Sequence, residues 1–434
     1  MISSIKYHAC FTIFPLMTLL SSQIGVVMLR HYVVHCQDDV CLSLTDLREP
    51  SAIWDFILMS FGTLKWSWSA MLHVILFFCY AGASTVLLGG EEYNGPRTEN
   101  GFVPKYYANG FRYYLLTTTM TLASLLSGQV SAWSLVVSLD YYQSAMLASG
   151  FAICVFLLIK GYLFPGESDH GATGNIIFDF YWGTELYPRI GKSIDIKQVT
   201  NCRFGMMLWQ VAVLVFTFAH FEKYGFSYAM LASAVLQSVY ITKFFWWEDG
   251  YMQSIDIIVD RAGYMLCWGC ICFVPFFYSL PSLALLGRTP PMTATTFLTI
   301  VSFGLLWIFL NYWCDYQRQL ARKTDGKCTI WFRPVKVLRA KYIDSEGQPR
   351  QSLLLASGFW SLSRHCNYVF EVLAALFWTL PVGYAVVPYA YVTFLAVLLV
   401  HRSFRDEQKC GMKYGKYWEE YRRAVKYQIV PFIW

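Results

Sequence analysis

Apolar runs of about twenty residues recur along the chain between shorter polar stretches, and that is the length an α-helix needs to cross the hydrocarbon core of a bilayer. Ten such runs begin near Phe11, Leu64, Tyr113, Ala145, Phe204, Ser227, Tyr264, Ala294, Cys366 and Val386. The first is too long, and lacks the small-residue cleavage site, to be a removable signal peptide. A short turn near Pro381 and Tyr384 separates the ninth from the tenth. The pattern predicts an all-α, polytopic membrane protein of about ten transmembrane helices. It forms a single membrane domain over 1–434, with N-terminal helices in 1–200 and a functional half in 201–434. No internal repeat or low-complexity segment interrupts it.

Composition agrees with the pattern. The 434 residues are 56% hydrophobic and 14% charged, against about 25% charged in soluble domains, so most of the outer surface must face lipid. The net charge of +6 is unevenly spread: of 34 Lys and Arg, ten lie between Cys314 and Arg364 and eight between His401 and Trp434. Ten spans put both termini on one side, together with the loops rich in Lys and Arg; by the positive-inside rule that side is cytoplasmic. The basic segments are short and abut membrane helices, which argues against nucleic acid. The 13 cysteines are mostly in apolar runs, where Cys is a small hydrophobe. Cys267 and Cys270 form a C-x-x-C inside such a run, the wrong setting for a redox motif. Cys36 and Cys41 share the first polar loop and can pair if that loop faces an oxidising lumen.

Neither a Rossmann nor a P-loop fingerprint is present, and His and acidic residues do not recur at metal-ligand spacing. The carboxyl-terminal third is different. Arg318 and Arg322 are four apart, so a continued helix sets both guanidinium groups on one face, a natural clamp for phosphate oxygens. The same pair can also snorkel to lipid headgroups. Over Leu353–Tyr368 an aromatic residue, Trp360, is followed by Arg364, His365, Asn367 and Tyr368, at the point where the chain re-enters the membrane. Trp360 can stack on a flat heterocycle, and the polar residues can bond phosphate, ribose or amide groups. An interfacial aromatic belt explains the Trp and Tyr but not the density of polar types. Arg402 and Asp406 are again four apart, followed by Lys413 and Tyr414. The three clusters predict a basic cytoplasmic pocket for a phosphate-rich cofactor. Farther up the chain, Glu248 closes the sixth run two turns after Tyr240, and ionisable groups at membrane depth are candidates for function.

Several long stretches, Phe180-Tyr-Trp-Gly-Thr-Glu-Leu-Tyr-Pro-Arg-Ile-Gly-Lys-Ser193, Asn201–Met207, Thr242–Glu248, Asp260–Tyr264, Leu353–Tyr368 and Arg402–Tyr421, resemble the sterol reductase family. That family comprises the Δ7, Δ14 and Δ24(28) sterol reductases and the corresponding half of lamin B receptor; the wording here is closest to plant-type Δ7 members. The resemblance implies a ten-helix bundle with NADPH bound on the cytoplasmic side by Arg318, Arg322, Leu355, Trp360, Arg402, Asp406, Lys413 and Tyr414. Arg364, His365, Asn367 and Tyr368 belong to the same signature. It places Tyr240 and Glu248, the candidate proton donors, beside a sterol cavity. No metal is expected. The implied reaction is saturation of a ring double bond, the Δ7 bond of 7-dehydrocholesterol or a related Δ5,7-sterol, by protonation and then hydride transfer. The membrane would be endoplasmic reticulum in a eukaryote or plasma membrane in a bacterium, with other enzymes of sterol synthesis as neighbours.

Three alternatives stand beside that reading: a Δ14-sterol reductase, a non-catalytic sterol-binding protein on the same fold, and a membrane methyltransferase of the isoprenylcysteine type. The last shares an Arg-His followed by Tyr, but has Pro where this chain has Cys366. The non-catalytic reading draws on Ser361, which replaces the family's glycine and whose Cβ would crowd a nucleotide.

Overall fold

The computed structural model describes residues 9–36, 48–98, 100–166, 169–191, 193–343 and 347–434. The ten apolar runs are all helical. Six helices are long and apolar enough to cross a membrane: Ala9–His35, Trp68–Leu87, Leu139–Leu163, Gln198–Tyr224, Ala294–Lys323 and Val387–Tyr414. Tyr264–Tyr278 and Cys366–Val382 are shorter apolar helices. The chain divides into two compact units, one of Met1–Met230 with Ile241–Thr289, the other of Leu231–Tyr240 with Pro290–Trp434.

The first unit contains α1 (Phe14–His35), α2 (Pro50–Gly62), α3 (Trp68–Leu87), α4 (Gly110–Leu126), α5 (Leu139–Leu163), α6 (Met207–Tyr224) and both ends of α7 (Tyr228–Trp246). Wide π-helical turns precede α6 at Gln198–Met206 and form Tyr264–Tyr278. Polar caps start several helices: Ser67 accepts the Ala70 amide at α3, and Ser227 the Met230 amide at α7. Small side chains let the membrane helices approach closely, as expected where lipid removes the usual hydrophobic drive between helices. Ala81, Ala145 and Cys154 are buried with Trp268 and Cys272, and a Cβ at Gly150 would lie 2.7 Å from the Cys272 sulfur. Near the end of α1, buried Arg30 donates to Asp140 and, at 2.8 Å, to Thr63. Next to it, Cys36 is disulfide-bonded; Cys41, its expected partner, lies outside the described residues. Cys267 and Cys270 are free thiols.

The second unit is built on α8 (Ala294–Lys323), α9 (Cys366–Thr379), α10 (Ala390–Tyr414) and α11 (Lys416–Ala424), with the central turns of α7. Thr293 caps α8 by accepting the Thr296 amide at 3.2 Å. Helices α8 and α9 pack along much of their length, and the α7 turns fit against them: a Cβ at Gly304 would press into Leu236, and Ser233 donates to the Trp378 carbonyl at 2.8 Å. Between α8 and α9 the chain forms an antiparallel hairpin of β1 (Val337–Ile343) and β2 (Pro349–Leu355), with Val337 opposite Leu355 and Ile343 opposite Pro349. One 3-10 turn, Gly358–Ser361, leads back into the membrane.

Candidate functional site

The three polar clusters meet inside the second unit. Arg318 and Arg322 occupy the last two turns of α8, where the basic side chains also complement the helix C-terminus. Arg318 donates to Asp315 one turn earlier at 3.5 Å, and its guanidinium lies 4.6 Å from the centre of the Trp360 ring. Arg322 is exposed and makes no hydrogen bond or ion pair among the described residues, so its donors remain available to an anion.

Trp360 is held rigidly. Its ring is buried, and its indole N–H donates to the Cys314 carbonyl at 2.7 Å. The turn that carries it depends on Gly358, which has φ +61; a Cβ there would run into the Gln317 side chain and Ile330. Gln317 in turn accepts the Phe359 amide at 3.0 Å. Ser361, the residue that departs from the family glycine, is exposed and folds its hydroxyl back to the Gly358 carbonyl at 2.7 Å.

At the start of α9, His365 bridges two elements. One ring nitrogen lies 3.2 Å from Asp406 on α10, the other 3.2 Å from the Gln428 carbonyl, and Tyr368 covers the ring with centroids 5.0 Å apart. Asn367 donates to Asp315 at 3.1 Å, while its own carbonyl accepts from Asn311 at 2.9 Å. Arg364 is turned inward instead. It donates to Glu407 on α10 and to the Val425 and Lys426 carbonyls at 2.7 and 3.0 Å, which pins the C-terminal segment to the start of α9.

Arg402, Asp406 and Lys413 share a face of α10. The Lys413 ammonium lies over the ring of Tyr342 at 4.3 Å and that of Tyr414 at 5.3 Å, and the Tyr414 hydroxyl donates to Ser352 on the hairpin. Leu355 ends β2 buried, its carbonyl accepting the Tyr421 hydroxyl of α11 at 2.8 Å. The chemistry of this surface is plain: cations and aromatic faces suited to phosphate and flat rings, with a His–Asp pair and an amide beside them.

The two candidate acids fall in different units. Tyr240, on the central part of α7, donates its phenol proton to Glu371 of α9 and sits 5.1 Å from the Trp378 ring. Glu248 belongs to the first unit, 4% exposed, and accepts from Arg203 at 2.6 Å; the same Arg203 nitrogen donates to Asn109 at 2.7 Å. Sequence reasoning passed over Glu371, Glu407 and Arg203. The signal for Glu371 was there to read, since it is the sole Asp, Glu, Lys or Arg from Cys366 to Val382.

Comparison with known proteins places this architecture. Residues 14–434 match the model of the Ergosterol biosynthesis ERG4/ERG24 family. The chain is 42% identical over 374 residues to the 7-dehydrocholesterol reductase of Arabidopsis thaliana, covering 85% of this chain and 87% of that protein. It is 34% identical to the 7-dehydrocholesterol reductase of Danio rerio, covering 83% and 77% of the two chains. With the Delta(14)-sterol reductase of Methylotuvimicrobium alcaliphilum it shares 30% identity, over 85% and 84%. Nothing in these matches points to methyl transfer. A chain with membrane-length helices that matches this family over nearly its whole length belongs to it: the protein is an integral-membrane sterol reductase of the ERG4/ERG24 family.

Proposed function

We propose that the chain reduces a sterol ring double bond with NADPH, taking the Δ7 bond of 7-dehydrocholesterol or a related Δ5,7-sterol. One observation carries the reading: a single compact unit holds both a cation-rich, aromatic-faced surface and, between α7 and the apolar helix α9, a phenol paired with a carboxyl. The relatives named 7-dehydrocholesterol reductase, at 42% and 34% identity, favour the Δ7 bond over the Δ14 bond named for a relative at 30%.

The residues fit the cofactor. Arg322 has free donors for phosphate, and Arg318, Arg402 and Lys413 add positive charge. The Tyr414 ring borders the surface, and Asn367, Tyr368 and Asp406 add polar groups for a ribose or carboxamide, while Trp360, Leu355 and His365, buried and already bonded, shape the wall behind them. Arg364, its donors already engaged, is assigned to holding the C-terminal segment against this surface.

A hydrocarbon ring olefin with no carbonyl to polarise it, conjugated diene included, is not electrophilic, so a proton must come first. When bound, NADPH supplies the hydride that quenches the resulting cation on the sterol. Tyr240 is the proton donor in this reading: it is half-buried on α7, with the Trp378 ring beside it to stabilise positive charge. Glu248 is the second candidate. Its carboxyl is engaged by Arg203 and walled in, which suits a scaffolding role better. The cofactor surface faces the cytoplasm, in the endoplasmic reticulum of a eukaryote or the plasma membrane of a bacterium. The basic segment Cys314–Arg364 supports that side, and the Cys36 disulfide supports an oxidising compartment for the loop after α1.

The test is direct. Purified protein given NADPH and a Δ5,7-diene sterol should consume the conjugated-diene absorbance. Conversion of a Δ8,14-diene instead would move the assignment to the Δ14 bond. Binding of both without turnover would leave a sterol-binding protein.

A further inference from the structure

The reading that this chain protonates a sterol olefin leaves one demand unmet. A phenol that gives its proton to carbon inside a membrane is left as a phenolate, and an unpaired charge there is costly. We propose that Glu371 is a positioning residue that passes its own proton to Tyr240 as Tyr240 protonates the substrate.

The placement of Glu371 carries the inference, which rests on the function proposed above. It is the sole Asp, Glu, Lys or Arg in the apolar helix Cys366–Val382, where a carboxyl without a task would be selected against. In the structure the Tyr240 hydroxyl donates to its carboxyl oxygen; the relay runs when bound sterol takes the phenol hydrogen and the Glu371 O–H donates to the phenol oxygen in its place. The register of that contact is fixed on both sides: the Trp378 ring packs on Tyr240, Ser233 donates to the Trp378 carbonyl, and Gln237 donates to the Ser233 hydroxyl at 2.9 Å. Glu371 and Tyr240 are each half-buried, so a substrate can reach the pair.

The proton balance is simple. The carboxyl O–H of Glu371 breaks as its proton moves to the phenol oxygen; the phenol O–H breaks as that proton moves to an olefin carbon, whose π pair forms the new C–H bond. Tyr240 ends neutral, Glu371 ends as carboxylate, and the neighbouring carbon of the sterol carries the positive charge until hydride from bound NADPH reaches it. Recharging would come from the aqueous end of α8. Asn367, one turn before Glu371 on the same face of α9, has a buried side-chain oxygen with no partner and donates to Asp315. Asp315 pairs with Arg318, whose side chain is 42% exposed. Polar groups therefore run from the aqueous end of α8 as far as Asn367, one turn short of the carboxyl.

The experiment uses the full chain in lipid nanodiscs with NADPH and 7-dehydrocholesterol. Glu371→Gln keeps the shape but has no proton to give, and should lower kcat about 100-fold or more, the usual worth of a general acid. KM for both ligands should stay near the wild-type values. Because Glu371 acts through Tyr240, Glu371→Gln should cost nothing further in a Tyr240→Phe background, whereas a structural role would add its loss there too. Infrared spectra of the sterol-bound protein should show a protonated-carboxyl band that Glu371→Gln removes. Additive losses, a kcat close to wild type, or an unchanged band would each overturn the proposal. Should Glu371→Gln not fold, Glu371→Asp takes its place: slower turnover with Tyr240 present and no loss without it is expected, and equal losses overturn it. If the wild type reduces no sterol at all, the proposed function fails, and the infrared band still decides whether Glu371 holds a proton.

Discussion

Replacing Glu248 should damage stability far more than chemistry. Arg203 is fully buried and uses one nitrogen to bond both Glu248 and Asn109, while its Nε and other terminal nitrogen have no partner. In Glu248→Leu a buried guanidinium is left with one neutral acceptor, and losing one member of a buried pair costs about 3–5 kcal/mol. Glu248→Gln should cost less, because it keeps an acceptor oxygen. Removing both charges in Arg203→Met/Glu248→Leu should recover part of the loss. The residue is the Asn109 oxygen, now unsatisfied at about 1–3 kcal/mol. Thermal unfolding in detergent, followed as the rise in thiol labelling when buried cysteines such as Cys202 and Cys267 become exposed, reads the series. Unfolding of Glu248→Leu at the wild-type temperature, or a double variant no better than the single one, would refute the argument. A Glu248→Gln protein that folds normally yet loses turnover about 100-fold would make Glu248 the proton donor.

Two further outcomes follow from the second unit. Arg322→Ala should weaken NADPH binding by about 10- to 100-fold, from the loss of a charge-assisted bond of about 1.5–3 kcal/mol, with sterol binding unchanged; equilibrium titration of each ligand checks this. Gly358→Ala should destabilise the turn that carries Trp360 by about 1–2 kcal/mol from its left-handed backbone alone, before the collision with Gln317 is added, measured as a fall in melting temperature.

Much of this architecture was legible because lipid restricts what a chain can do. A backbone with no water to bond must form helices, so apolar length alone located every long membrane helix. The helix Pro50–Gly62 escaped because it has only 13 residues. The hairpin escaped for another reason: Cys314–Arg364 reads as a basic loop, and Arg339 and Lys341 within Val337–Ile343 add to that basic character. In the second unit, spacing picked residues that lie together but did not foretell all their contacts. Arg318, Trp360, His365 and Asp406 do converge. Arg364 spends its donors on carbonyls some sixty residues farther along the chain, and Glu248 meets an Arg 45 residues before it. Local periodicity holds no information about such pairings, which are decided by how helices dock.

The second unit is discontinuous in sequence: its core includes Leu231–Tyr240, excised from the middle of a helix whose ends belong elsewhere. This has a consequence for anyone who would divide the molecule. A fragment starting at Pro290 would carry the whole basic surface yet lack the phenol, and Glu371, the Trp378 carbonyl and the groove at Gly304 would lose their companions together. Severing the chain at 289/290 therefore takes Leu231–Tyr240 out of the second unit. A nick ahead of Leu231 keeps Tyr240 and Glu371 on one polypeptide but parts Met1–Met230 from Ile241–Thr289, so no single cut leaves both units whole.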